Sequence, residues 1–152
     1  MKIRGRWSYL YRAVDREGQT VDFRLSINRD VKAAKAFFRK ALETQGRAPV
    51  SITLDGYAAS HRAVRELPAQ SPRWKYTLLR SSKYLNNMIE QDHRGVKSRI
   101  NPMLGFKVFD RAELTIAGVE LLHRIRKGQF NLARLRLRGQ AAPAIWNAVL
   151  SA

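Results

Sequence analysis

The chain has 152 residues, enough for one well-buried domain and too few for two. Its 29 Lys+Arg against 12 Asp+Glu leave a formal charge of +17, while 45% of the residues are hydrophobic, with three Trp and six Phe among them. So apolar a chain is not disordered, and so large a charge seeks a polyanion: nucleic acid first, with a ribosome or anionic membrane surface drawn by the same field. The absence of cysteine excludes a disulfide framework and a Cys-based zinc site. The start, MKIRGRW, is followed by no signal-type apolar segment, and no apolar run reaches membrane-spanning length. These features read as a soluble, cytoplasmic protein without a membrane partner.

In chain order, Lys2 to Arg4 and Trp7 to Val14 read as two strands around a Gly5-Arg6 turn, which pairs Arg4 with Trp7. Asp15 to Gly18 form a turn, and Thr20 to Leu25 a third strand of an antiparallel meander. Asn28 or Asp30 caps a helix from Val31 to about Gln45, stopped by Gly46, with Ala33, Ala34, Phe37, Phe38, Ala41 and Leu42 inward. A short strand, Val50 to Leu54, ends at Asp55-Gly56. A helix from Tyr57 to Leu67 stops at Pro68, and Tyr76 to Leu79 make a fifth strand.

The next helix, Lys83 to Ile100, carries Glu90 and, seven residues on, Lys97, nearly two turns apart on one face. His93 and Arg94 fall at or beside that face. Leu85, Ile89, Val96 and Ile100 make an apolar stripe next to it. Such a face either holds a metal ion and phosphates or is a solvated face of intrahelical ion pairs. Asn101-Pro102 ends it. Asp110 and Glu113, spaced as a capping box, open a further helix with Leu114, Gly118, Leu121, Leu122 and Ile125 on its inner side, stopped at Gly128. The tail alternates basic and apolar residues over Leu132 to Arg138, then turns alanine-rich; it is either a flexible arm or an edge strand.

The order is β-β-β-α-β-α-β-α-α, an α/β fold with a mixed five-stranded sheet. Asp55, at the carboxyl end of an apolar strand, lies where open α/β sheets bind ligands, although a turn aspartate is the plainer alternative. If Asp55 and Glu90 come together, a divalent cation between them relieves their repulsion. His61 and His123 read as ordinary histidines of amphipathic helices. Trp7, Tyr84 and Phe106 are core residues or base-stacking aromatics.

Three runs resemble the catalytic core of the insertion-sequence-six family of DDE transposases. They are RGRWSYLYRAVDREGQTVDFRLSINRDVKAAKAFFRKAL, KYLNNMIEQDHRGVKSRINPMLGFKVF and TIAGVELLHRIRKGQ. The resemblance implies a ribonuclease H-like fold for residues 1–128, with a basic, then Ala-rich tail over 129–152. It implies cutting and joining of DNA ends with Mg²⁺ or Mn²⁺. Asp55 and Glu90 match the second and third acids of the triad, and thus its catalytic and metal-binding positions. Lys97 matches the basic residue past the Glu that contacts DNA. Arg94, His93, Lys83 and Arg99 surround it as further DNA contacts.

The family's first Asp, in a D-E-T-Y-like run, would fall about four residues before Met1, and a helix-turn-helix segment would precede it. The run TLDGYAAS also departs from the family's Asp-Lys-Asn-like pattern around the second Asp. The chain therefore reads as the carboxyl-terminal part of a transposase, inactive alone, with Asp15 the one acid that the strand register offers as a stand-in. DNA, a second copy or a full-length transposase are the implied partners. A non-catalytic DNA-binding or inhibitory module is the alternative reading.

Overall fold

A computed structural model of the chain describes residues 1–82, 86–100, 105–134, 136–139 and 141–151, with the backbone alone at 86–88 and 142. The first two strands, β1 (Lys2–Ile3) and β2 (Arg6–Trp7), form a hairpin paired Lys2↔Trp7 and Ile3↔Arg6. The turn is therefore Arg4-Gly5 rather than Gly5-Arg6. Both residues have positive φ, 47° and 75°, as the tightest hairpin turn requires, and glycine supplies the second at little cost. The hairpin continues through Met1 and Ser8, whose backbone groups bond each other at 2.8 and 3.0 Å. Across Ser8 the chain enters β3 (Tyr9–Val14), antiparallel to β4 (Thr20–Ser26).

Helix α1 (Val31–Gln45) follows, capped by Asp30, whose Oδ1 accepts from Ala33 N at 2.7 Å, and closed by left-handed Gly46. Strand β5 (Ser51–Leu54) leads to α2 (Ala58–Gln70), which runs a turn past the expected stop because Pro68 sits in its last turn. A single 3₁₀ turn, Pro72–Trp74, delays the next strand, so β6 is Leu78–Ser81, two residues later than its apolar run suggested. Helix α3 (Asn86–Ile100) and helix α4 (Phe109–Arg126) come next. The tail is neither arm nor edge strand: it makes turns and then α5 (Ala142–Leu150).

The expected five-stranded sheet is not what forms. Among the described residues there are three two-stranded ladders, β1–β2, β3–β4 and the parallel pair β5–β6. The two larger ladders nevertheless share one helical layer. Tyr11 and Ala13 of β3, Ile52 and Leu54 of β5 and Leu79 of β6 all pack on a core of Ala34, Phe37, Phe38, Ala63, Val64, Leu67 and Trp74. No strand among the described residues hydrogen-bonds to both ladders, so the sheet is divided between β3 and β5.

The opposite face of β3–β4 builds the second core, where Leu10, Phe23 and Leu25 meet Val96 and Ile100 of α3 and Ala112 and Ile116 of α4. The inner side of α4 is thus Ala112, Ile116 and Glu120, whereas Leu114, expected inside, is 66% exposed. Its start is also shifted: Val108 is the N-cap without a side-chain bond, so Asp110 lies in the first turn and makes no capping box.

Glu120 is buried because β3 offers it a buried cation. Arg12 donates from Nε and Nη2 to its two carboxylate oxygens at 2.5 and 2.8 Å, the paired geometry that a guanidinium favours. The third Arg12 nitrogen, Nη1, lies 2.7 Å from Asp92 Oδ2 of α3, an ionic contact whose angle falls outside hydrogen-bond geometry. Lys127 also reaches Asp92, and donates to Gly18 O at 2.8 Å. One strand, two helices and the end of α4 are thereby tied through Arg12 and Asp92.

Helices α3 and α4 approach so closely at Gly95 that a Cβ there would stand 2.7 Å from the His123 ring. Arg12→Met would leave Glu120 in the interior without a cation and Asp92 with Lys127 alone, and an uncompensated buried charge typically costs about 3–5 kcal/mol. A urea midpoint lowered accordingly is expected, with an unchanged midpoint as the contrary result.

Candidate functional site

Asp55 follows β5 directly, is exposed, and closes its own turn: Oδ1 accepts from Tyr57 N at 3.2 Å. Its carbonyl lies 2.6 Å from His61 Nε2, so His61 braces this turn from α2. Leu54, just before it, pairs with Ser81 at the end of β6, and Ser82 N donates to Leu54 O at 3.3 Å. The end of β6 and the Asp55 turn thus lie side by side, and α3 begins five residues after Ser81.

On α3, the inner face is set by Asp92, Val96 and Ile100, the first held by Arg12 and Lys127 and the other two in the second core. That fixes the outer face. Glu90, Arg94 and Lys97 are all exposed on it, spread over nearly two turns. Arg99 is half-buried, and Lys83 lies outside the described residues, as do Tyr84 and Leu85. Lys97 sits near the start of the chain, where burial first and the Lys97 charge second push the Met1 amino group below its ordinary pKa. Neither Asp55 nor Glu90 takes an ion-pair partner among the described residues, which contain no group of three or more His, Cys, Asp and Glu suited to a metal.

His93 is half-buried. Burial, then the Arg12 and Lys97 cations, bring its pKa from the usual 6.5 to about 4, so the ring is neutral at physiological pH. At a DNA surface it offers a hydrogen bond and no charge. For Asp92, burial pushes the carboxyl up, yet the Lys127 hydrogen bond and the Arg12 charge outweigh it and hold the group below the ordinary carboxylate range. Asp15 does not reach across as a stand-in. Its Oδ1 accepts from Glu17 N and Gln19 N at 3.0 and 2.8 Å, closing the β3–β4 turn. The Lys2↔Trp7 pairing also moves it two residues from the register that an Arg4↔Trp7 pair implied.

The residues that the sequence did not single out are Arg12, Asp92 and Glu120. Their signal was an Arg between Leu10 and Val14 on a strand face, and acids four residues from Val96 and Ile116 on helix faces. Trp7, by contrast, is 61% exposed with Lys2 Nζ 5.3 Å over its ring, whereas Phe106 packs against the second core and bridges Ile3. No described helix is long and apolar enough to cross a membrane.

A family profile described as a DDE domain matches residues 1–129. The transposase for insertion sequence-like element IS431mec of Staphylococcus aureus is 36% identical over 127 residues, 84% of this chain and 54% of that protein. The transposase for insertion sequence element IS257 in transposon Tn4003, also of Staphylococcus aureus, matches with the same identity and coverage. An uncharacterised protein of Yersinia pseudotuberculosis is 32% identical over 69 residues, 44% of this chain and 64% of its own length. No solved structure matches. The chain spans about half the length of the transposases it matches.

The two shifted groups act on stability in one direction. Asp92 contributes fully above the ordinary carboxylate pKa, and that contribution is lost as pH falls through its folded value. His93 binds protons more readily when unfolded, so acidification from 6.5 towards about 4 favours the unfolded chain. Between pH 6.5 and about 4 the urea midpoint should therefore fall through His93, and fall less in His93→Gln, while the loss from Asp92 comes below the ordinary carboxylate pKa. Superimposable pH profiles for the two proteins would remove His93 from the account.

Proposed function

Because the chain belongs to the insertion-sequence-six family of DDE transposases, we propose that it forms the part of a transposase core that acts on the phosphodiester backbone of DNA ends. The observation that carries this reading is positional: Asp55 stands exposed in the turn after β5, beside the end of β6, and Glu90 stands exposed on the outer face of α3, in a chain of charge +17. Asp55 is held by the turn after β5, and Glu90 is held outward because Asp92, two residues on, is anchored inward.

Two carboxylates completed by water and phosphate oxygens are a donor set that Mg²⁺ accepts, so the residues present fit the ion of the family. When bound, Mg²⁺ or Mn²⁺ would neutralise charge on the reacting phosphate and its flanking oxygens. Asp55 and Glu90 would hold it. Arg94 and Lys97, further along the same helix face, neutralise neighbouring phosphates and set the strand's position without reading its sequence. Half-buried Arg99, near the end of α3, is a further cation for the DNA backbone, with neutral His93 contributing a hydrogen bond; Lys83, outside the described residues, is proposed as another from the sequence alone. A ribonuclease H-like architecture accords with this assignment in one respect: β3 of one ladder and β5 and β6 of the other pack on one helical layer.

A second reading, a DNA-binding or inhibitory module that pairs with a longer transposase, draws on the same basic face. Chemistry separates the two. A chimera joining the amino-terminal half of a related transposase to this chain should cut and join transposon-end DNA with Mg²⁺ or Mn²⁺. Glu90→Gln or Asp55→Asn should abolish that activity and leave DNA binding. Activity unaffected by both substitutions would sink the catalytic assignment. For the chain itself, log K for duplex DNA should fall steeply with log salt, and Lys97→Ala should lower that slope by about one. Affinity indifferent to salt would refute the basic face as the binding surface.

A further inference from the structure

Among the described arginines, one is held by aromatic rings. Arg29, in the loop between β4 and α1, lays its guanidinium 4.0 Å from the centre of the Tyr57 ring and 5.9 Å from that of Tyr9. The Tyr57 hydroxyl returns a hydrogen bond to the Arg29 carbonyl, so side chain and backbone of the loop are both fastened to one tyrosine. Tyr57 is also the residue whose backbone N–H binds Asp55 Oδ1 at 3.2 Å. Arg29, Tyr57 and the Asp55 carboxylate are therefore successive links of one small assembly at the carboxyl ends of β4 and β5.

The guanidinium itself makes no hydrogen bond and no ion pair among the described residues. The contrast is with Arg12, Arg62, Arg73 and Arg4, each of which donates to a carboxylate or a carbonyl. Aromatic rings cover the faces of a guanidinium and leave its N–H donors, which lie around the edge, unspent. A long side chain that is already stacked loses less freedom when a ligand arrives. Neighbouring Asp30 is occupied in capping α1, through the bond from Ala33 N at 2.7 Å, and does not pair with it.

We propose that Arg29, braced by Tyr57, is a phosphate clamp. It would bind one backbone phosphodiester of DNA beside Asp55 and so position the strand at the proposed reaction site. The inference rests on the reading of this chain as a DNA-end-processing core and adds to it a residue that lies in a different loop from the acids and outside the basic face of α3. A fork of parallel N–H donors matches two phosphate oxygens, and the ring support fixes the direction in which the fork points. Arg29 is a positioning residue: it acts on the backbone one step from the reacting group.

The test is fluorescence anisotropy of a labelled duplex with the 152-residue chain at several salt concentrations. Arg29→Ala should weaken binding about three- to tenfold and lower the salt slope by about one, as for a single lost phosphate contact. Arg29→Lys should restore the slope but not the whole affinity, since a point charge replaces the fork. Tyr57→Leu, which removes the brace and keeps every charge, should weaken binding with the slope intact.

Arg62→Ala is the comparison for bulk charge, because that exposed arginine is already spent on Glu66 at 2.7 Å. An Arg29→Ala effect no larger than that of Arg62→Ala would overturn the clamp while leaving the DNA-binding reading in place. Wild-type protein that binds DNA without salt dependence, or not at all, would overturn both. A second measurement replaces single phosphates by neutral methylphosphonates along the duplex. At one position the neutral linkage should weaken wild type but leave Arg29→Ala, which has already lost that contact, almost unchanged, so that the two losses do not add. Additive losses at every position would refute a specific contact.

Discussion

Arg12 is the constraint on which the rest of the structure turns. A guanidinium buried on a strand is tolerable only with acids around it, and here the acids come from two different helices. Glu120 takes one edge of the fork and Asp92 the remaining nitrogen, so the strand dictates which way both helices face. The glycine at position 95 lets those helices close against one another, with the His123 ring filling the place of a side chain. Val96 and Ile100 turn α3 towards the second core, and Asp92, held by Arg12, fixes the same face one turn earlier. That rotation sends Glu90, Arg94 and Lys97 outward together.

Much of this was legible in the sequence where local chemistry decides structure. Asp30 and Gly46 announce the ends of α1, and its six inward residues are all buried. The spacing of Glu90 and Lys97 placed them correctly on one exposed face. What could not be read followed from partners distant in the chain. The apolar pattern of α4 put Leu114 inside because it could not know that Glu120 would be neutralised by a residue 108 positions earlier. The first hairpin turn was misread by one residue because Arg4 adopts a backbone conformation that arginine seldom takes. The five-stranded sheet failed for another reason: strand signals give lengths and faces, whereas joining β3 to β5 needs a strand beside both, which the described residues do not supply.

The electrostatics of the candidate site also depend on what the fold does with its few acids. Asp22 is taken by Lys40 and Thr44, Asp30 by a helix end, Glu66 by Lys35 and Arg62, and Asp92 and Glu120 by the Arg12 assembly. Five of the twelve acids are thus committed to holding elements together, four of them by pairing with cations. Asp55 and Glu90 are among the acids left exposed without ion-pair partners among the described residues.

Gln129 gives the fold a natural seam. Its side-chain oxygen accepts from Thr20 N and its side-chain nitrogen donates to Thr20 O, both at 3.0 Å, so it closes on the first residue of β4 as a neighbouring strand residue would. Neither apolar core draws on any described residue beyond it. The likeness to the DDE domain also ends at position 129. The place where the chain finishes fastening itself is thus the place where kinship stops being detectable. Helix α5 lies beyond both limits, outside the matched residues and outside the two cores.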